Sequence, residues 1–262
     1  MHAVILSAGQ GSRLAPLTAD VPKCLIDFGG RSLLEWQVLA LAQAGVGAVT
    51  VVAGYRADKV RQLCQDRRLD VRVLDNPFYR IAENISSVWL ARDVLTAGDA
   101  LILNGDTLVD PTLIATALAN ATAAINVTVD IKPAYDSDDM KVTLQSGRVT
   151  NIGKDLPPGE SDAEAIGMHI FRGDGGARFI RMIDDVIAQP GGTGRYYLSA
   201  IAELARIGLV AAAPIVGHAW AEVDFPADLP GAHALVGSWA GQPWAQAAGI
   251  VPFPAATRSS RS

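Results

Sequence analysis

Short apolar, β-branched runs alternate along the chain with stretches of helical periodicity, and turn residues separate them. Residues 3–6 (Ala-Val-Ile-Leu) are the first apolar run, and Val49-Thr50-Val51-Val52 suits a strand buried on both faces. Between them Leu34, Val38, Leu41 and Ala42 recur at i, i+4, i+7 and i+8. This spacing predicts an amphipathic helix, capped by Ser32 and stopped by Gly45 and Gly47. A second helix is predicted from Gly54 to about Gln65 and a strand over residues 71–74. Asn76-Pro77 breaks the pattern before Ile85, Val88 and Trp89 start a further helix, and residues 101–103 form another buried strand.

After a helix over residues 111–119 the pattern turns more β-rich. Strands are predicted at 123–129 and 165–171, and a hairpin over 142–152 turns at Ser146-Gly147. Helices at 177–188 and 198–207 flank the flexible run Pro190-Gly191-Gly192-Thr193-Gly194. Strands at 210–216 and 219–223 then lead to Asp224. Alternation of this kind predicts right-handed crossovers and a Rossmann-like, three-layer α/β/α fold on a mostly parallel, mixed sheet. Ligands in such sheets lie beyond the carboxyl ends of the strands, where both the first loop and Asp106 fall.

That first loop carries the clearest chemistry. Residues 6–23 hold Ala8, Gly9, Gly11, Ser12 and Arg13 and end at Pro22-Lys23. Glycine lets backbone approach a ligand, unpaired loop N–H groups can ring an anion, and Arg13 and Lys23 add fixed positive charge. The combination reads as a nucleoside-triphosphate loop. It is not the dinucleotide fingerprint, whose third glycine would fall on Leu14, and no Gly-Lys-Ser or Gly-Lys-Thr of a Walker loop occurs. The histidines, His2, His169, His218 and His233, lack metalloprotease spacing, and no serine nucleophile elbow is present.

The loop resembles the signature of the nucleotidyltransferase superfamily, enzymes that join a nucleoside triphosphate to a phosphorylated metabolite with loss of pyrophosphate. Asn76-Pro77-Phe78-Tyr79, Asn84-Ile85-Ser86-Ser87, Asn104-Gly105-Asp106-Thr107, Asp138-Asp139-Met140-Lys141-Val142 and Glu222-Val223-Asp224 are most similar to phosphocholine and phosphonate cytidylyltransferases. The resemblance runs to about Leu229. It implies a GT-A-like nucleotidyltransferase fold and a magnesium-dependent cytidylyltransferase, with CTP and a small phosphorylated or phosphonate acceptor as partners.

The resemblance also distributes roles. Asp106 and Asp224 match the family's metal-binding aspartates. Glu222, two strand positions from Asp224, faces the same way and is a further candidate metal or acceptor contact. Arg13 suits bidentate contact with the β- and γ-phosphates, and Lys23 the α-phosphate or the acceptor phosphate. Lys141 resembles the lysine that helps hold the acceptor phosphate. Gly105 lies beside Asp106 at the nucleotide, and Ala8, Gly9, Asn84 and Ser86 supply donors and acceptors for a base, although helix capping explains Asn84 and Ser86 equally well. For a cationic acceptor the candidates are Tyr135, Asp136, Asp138, Asp139, Tyr196 and Tyr197. The acidic residues that often follow the double tyrosine in the family are replaced by Leu198 and Ser199, which argues against choline or an aminoethyl group.

Bulk properties narrow the field. The chain has 262 residues, 50% hydrophobic and 19% charged, with net charge −5 and no basic run, so nucleic acid is not an expected partner. No stretch approaches the length of a membrane span, no signal peptide is visible, and Cys24 and Cys64 have no metal-type spacing. A cytoplasmic enzyme with reduced thiols is expected. No linker or repeat divides the chain. One domain is expected over residues 1–240, with a nucleotide-binding part to about 120, an acceptor-binding part over about 121–235, and a polar tail over 241–262. A homodimer is common among the proteins it resembles. Two other readings share these features: a sugar-1-phosphate nucleotidyltransferase using UTP or dTTP, and a nucleotide-sensing regulatory domain.

Overall fold

The computed structural model describes residues 1–246. Strand β1 (His2–Ser7) runs into the first loop, which contains a 3-10 turn at Ser12–Leu14 and another at Lys23–Leu25. A small hairpin of β2 (Asp27–Phe28) and β3 (Arg31–Ser32) leads to α1 (Leu33–Gln43). Ser32 caps α1 as expected: the Glu35 amide donates to its Oγ, and the Ser32 amide donates to Glu35 Oε2 at 2.8 Å. The chain continues through β4 (Ala48–Ala53), α2 (Ala57–Asp66), β5 (Arg72–Asp75), α3 (Ile85–Leu90), α4 (Arg92–Thr96), β6 (Ala100–Asn104), β7 (Thr107–Leu108) and α5 (Pro111–Asn120). Next come β8 (Ile125–Asp130), the hairpin of β9 (Lys141–Gln145) and β10 (Arg148–Gly153), β11 (Ala163–Phe171), α6 (Gly175–Ile187), α7 (Leu198–Arg206), β12 (Val210–Pro214), β13 (Ala221–Glu222) and α8 (Leu229–Trp239).

The main sheet has nine strands in the order β5-β4-β1-β6-β11-β8-β12-β10-β9. Strands β5, β4, β1 and β6 are parallel, and β12 is parallel to β8. Strand β11 runs against both β6 and β8, so those two point the same way. The expected mostly parallel, mixed sheet is therefore present, and both halves of the chain share it. At its far end the sheet curls, because β9 also pairs back onto β11, with Lys141 opposite Glu164.

Apolar clusters fill the two faces. Phe179, Ile183, Ile201 and Leu204 of α6 and α7 cover one, and Leu34, Val38 and Leu41 of α1 with Val60 and Ile114 cover the other, giving the three-layer α/β/α arrangement. Helix α1 departs from the amphipathic expectation. Every residue from Leu33 to Leu41 is buried, because a third cluster of Trp36, Leu39, Trp239 and Val236 packs α8 over its outer face. Trp244, within the expected tail, meets Trp36 edge-on and Trp239 at a tilt, so packing continues past residue 240. The rest of that tail, from residue 247, lies outside the described residues. The strand expected over 219–223 is only two residues long, paired with β7 rather than with the main sheet. Among the described residues no helix is long and apolar enough to cross a membrane.

Candidate active site

Each segment of the site is aimed by backbone. The Gly105 amide donates to Leu6 O at 3.0 Å, which seats the turn after β6 against the end of β1. A Cβ on Gly105 would lie 2.5 Å from Leu6 O and from Ser7 Oγ, so only glycine permits this approach. In the first loop Gly11 has φ +71, and a Cβ there would meet Lys23 Cβ at 2.9 Å. Thr18 Oγ1 donates to Gly11 O at 2.7 Å and closes the loop on itself. The pairing of β13 with β7 sets Glu222 opposite Thr107, and the Val223 amide donates to Asp106 O at 3.0 Å. That short ladder carries Asp224 to Asp106 across the length of the chain. Asp228 then accepts from the Asp224 and Phe225 amides at 2.8 and 2.7 Å, fixing the turn that presents Asp224.

The resulting charges interlock. Lys23 Nζ donates to Asp106 Oδ2 at 2.7 Å and to Asp224 Oδ1 at 2.6 Å. Arg13 reaches Asp224 Oδ2 at 3.3 Å with its guanidinium over the Phe225 ring. Burial alone would lower the Lys23 pKa, but the charges and hydrogen bonds of Asp106 and Asp224 raise it well above the ordinary range. Glu222 completes the group: Asp106, Glu222 and Asp224 each offer a carboxylate oxygen within 4.8 Å of the others. The Glu222 side chain reaches solvent, yet the protein around its carboxyl desolvates it, and Asp106 and Asp224 add repulsion, pushing it up to about 8. Three hard oxygen donors converging beside a phosphate-type loop are the donor set that magnesium takes, with phosphate oxygens completing its shell.

Gly9, Gly11, Lys23, Asn84, Gly105, Asp106 and Tyr196 line one cleft of about 210 Å³ at the carboxyl ends of β1 and β6. Ala8 is buried beside it, and its carbonyl accepts from the Tyr55 amide at 2.9 Å. Ser12 opens the exposed turn that carries Arg13. The other residues singled out in the sequence are held by contacts of their own. The Ser86 hydroxyl is turned inward, accepting from Asn76 Nδ2 at 3.1 Å and donating to Glu83 O at 2.8 Å, which is a local structural role. Asn84 Oδ1 accepts from the Tyr197 amide at 3.0 Å, leaving its NH2 group for the cleft. Lys141 is buried, its Nζ donating to Asp136 O at 2.9 Å and to Asp139 O at 3.3 Å. Asp139 pairs with Lys132 at 2.8 Å, and Tyr135 accepts from the Lys132 amide, so both belong to the loop that follows β8. Tyr197 is fully buried and presents no aromatic face to a ligand.

Three contacts went unread in the sequence, one of them at Tyr197, which was considered there only for a cationic acceptor. Gln37, fully buried on α1, donates to Asn104 O at 2.7 Å and to Thr107 O at 2.8 Å, gripping the turn on both sides of Asp106. Tyr197 donates its hydroxyl to Asn104 Oδ1 at 2.8 Å from the opposite helical layer. Lys154, just past β10, pairs with Asp138 at 2.8 Å. Neither Gln37 nor Lys154 has a local motif, and the double tyrosine pointed to an acceptor rather than to Asn104. The only signal for Gln37 was a polar side chain at a core-facing position of a helix.

Known proteins share the sequence pattern and the fold. The profile of the MobA-like NTP transferase domain matches residues 3–148. The chain is 31% identical to 2-aminoethylphosphonate cytidylyltransferase of Lancefieldella rimae, over 72% of this chain and 74% of that one. It is 25% identical to CTP:phosphoglutamine cytidylyltransferase of Campylobacter jejuni, over 87% of this chain and 98% of the relative. Among solved structures it superposes on the inositol-1-phosphate CTP transferase from T. maritima with TM-score 0.76. There the identity is 21%, over 92% of this chain and 96% of that one.

Proposed function

The chain belongs to the MobA-like NTP transferase domain family, and on that premise we propose that it transfers CMP from CTP to a small phosphorylated or phosphonate acceptor, releasing pyrophosphate. The observation that carries the reading is the interlocked group of Lys23, Asp106, Asp224 and Glu222 at the mouth of a glycine-lined cleft. An acceptor oxygen attacks the α-phosphorus of CTP. A P–O bond forms there, the bond to the bridging oxygen breaks, and its electrons leave with pyrophosphate. Both reactants are anions, so positioning and charge neutralisation are the protein's task.

Arg13 and Lys23 neutralise and orient the triphosphate as it lies on the first loop. Asp106 and Asp224, with Glu222, would hold Mg2+, which supplies positive charge shared between the phosphate oxygens. Gln37 and Tyr197 keep the Asp106 turn in place from opposite faces of the sheet. Cytosine as the base is supported by the names of the two relatives, and the Asn84 NH2 group offers the donor that an acceptor edge of the ring takes.

Pyrophosphate release, measured with CTP, UTP, dTTP, GTP and ATP against phosphonates, phosphocholine and sugar 1-phosphates, tests this directly. Turnover confined to CTP with a phosphonate or small phosphate monoester is expected. Turnover with UTP or dTTP and a sugar 1-phosphate would overturn it, and binding without turnover for every pair would favour a nucleotide sensor.

A further inference from the structure

One residue outside the lining of the cleft holds the first loop at both of its ends. Tyr55, just past β4 and buried, donates its amide to Ala8 O at 2.9 Å and its hydroxyl to Ala19 O. The segment between those carbonyls, residues 9–18, carries Gly11, Ser12 and Arg13. Thr18 closes that segment on Gly11 O, and Leu14 is buried in the cluster that packs α8. Asp20, the next residue, pairs with Arg56 and, at 2.6 Å, with Lys59, both at the start of α2. Behind Tyr55 stands Asn76-Pro77-Phe78-Tyr79, a segment that contributes nothing to the lining of the cleft. The Tyr79 ring meets the Tyr55 ring edge-on, with centroids 6.4 Å apart. The Asn76 amide donates to Ala53 O at 2.7 Å and Asn76 Oδ1 accepts from the Phe78 amide at 2.8 Å, which holds this turn to the end of β4. Tyr55 is thus braced from behind and spans the loop in front.

Resting on the cytidylyltransferase reading above, we propose that Tyr55 is a positioning residue for CTP, holding the loop that bears Arg13 in its triphosphate-binding form before the nucleotide arrives. The amide contact at Ala8 tethers the start of the loop, and the hydroxyl contact at Ala19 tethers its far end. A triphosphate then meets a loop already in place, and its affinity is not spent on ordering one. The hydroxyl is the specific element. Ala19 is exposed, so its carbonyl turns to water when the hydroxyl is removed, and the fold itself loses little. The ion pairs of Asp20 are weaker anchors, because its side chain is 62% exposed. Lys23 has anchors of its own in Asp106 and Asp224, so a loosened loop leaves it in place.

Tyr55→Phe keeps the ring, the amide and the contact with Tyr79, and removes the hydroxyl alone. KM for CTP is expected to rise by about threefold to tenfold, the scale of one hydrogen bond, with kcat and KM for the acceptor within about twofold. Asp20→Asn, which unpairs Arg56 and Lys59, is expected to change KM for CTP by less than about twofold. An unchanged KM for CTP in Tyr55→Phe, an equal rise in KM for the acceptor, or a larger effect from Asp20→Asn would each overturn the assignment. Hydrogen–deuterium exchange reads the same contact without nucleotide. Amides of residues 9–20 should exchange faster in Tyr55→Phe, while α1 and α2 keep their wild-type rates. Unchanged exchange over residues 9–20, or faster exchange throughout the protein, would also overturn it. A wild-type protein inactive on every substrate pair rejects the cytidylyltransferase reading instead, and leaves exchange to decide whether Tyr55 holds the loop.

Discussion

Lys23 Nζ lies 2.7 Å from Asp106 Oδ2, a contact that joins the phosphate-type loop to the turn after β6. Both side chains are largely shielded, and the same ammonium also holds Asp224 at 2.6 Å. The residues assigned to triphosphate and to metal are thus one electrostatic unit. Lys23→Met leaves Asp106, Glu222 and Asp224 without their central counter-ion. Pyrophosphate release is expected to fall by at least about a hundredfold, the scale seen when a key electrostatic group is removed. Mg2+ is expected to raise the melting temperature of this variant more than that of wild type. Equal shifts in differential scanning fluorimetry would count against a shared metal site.

Asp106→Asn and Asp224→Asn remove one carboxylate each from the group within 4.8 Å. Each is expected to lower turnover by at least about a hundredfold and to weaken Mn2+ binding measured by electron paramagnetic resonance. Wild-type rates in either variant would remove that residue from the metal site.

Gln37 is expected to act without touching a substrate. Gln37→Leu leaves the half-buried Asn104 carbonyl and the buried Thr107 carbonyl without their side-chain donor, and a buried group left unsatisfied costs about 1–3 kcal/mol. A lower denaturation midpoint is expected together with weaker Mn2+ binding, because the turn bearing Asp106 loosens. Loss of stability with unchanged metal affinity would make Gln37 a core residue only.

Gly105→Ala tests the approach of β1 to the turn. Its new methyl group would stand 2.5 Å from Leu6 O, and backbone would have to move. Overpacking of this kind costs about 1–3 kcal/mol, and urea unfolding should show it. Gly153→Ala, where nothing lies within 4 Å of the added carbon, is the control and should be close to neutral in packing.

His169 predicts an acid-sensitive term. It is fully buried, neither ring nitrogen has a hydrogen-bond partner among the described residues, and burial pushes its pKa from 6.5 down to about 3. The native imidazole stays neutral where the unfolded one binds a proton. Its contribution is complete above pH 6.5 and is lost as pH falls from there towards about 3. The slope is about 1.4 kcal/mol per pH unit. His169→Leu should flatten that part of the stability curve, and an unchanged slope would place the acid sensitivity elsewhere.

Local pattern was enough for much of this protein. Strand-helix alternation determined the fold class, because a β-branched run buried on both faces and a capped helical repeat each admit few arrangements. The loop glycines with Arg13 and Lys23, and the aspartates that follow apolar strands, were visible because their chemistry is carried by residue type at short spacing. Tertiary structure alone decided what long-range pairing controls. Helix α1 is buried all round only because α8 returns over it. Asp224 meets Asp106 only through the two-residue pairing of β13 with β7. The motif around Lys141 could not reveal that its ammonium donates to carbonyls of the loop before it. Periodicity reports which face of an element is buried, and the partners across the sheet are set by strand order and register, which no local window of sequence contains.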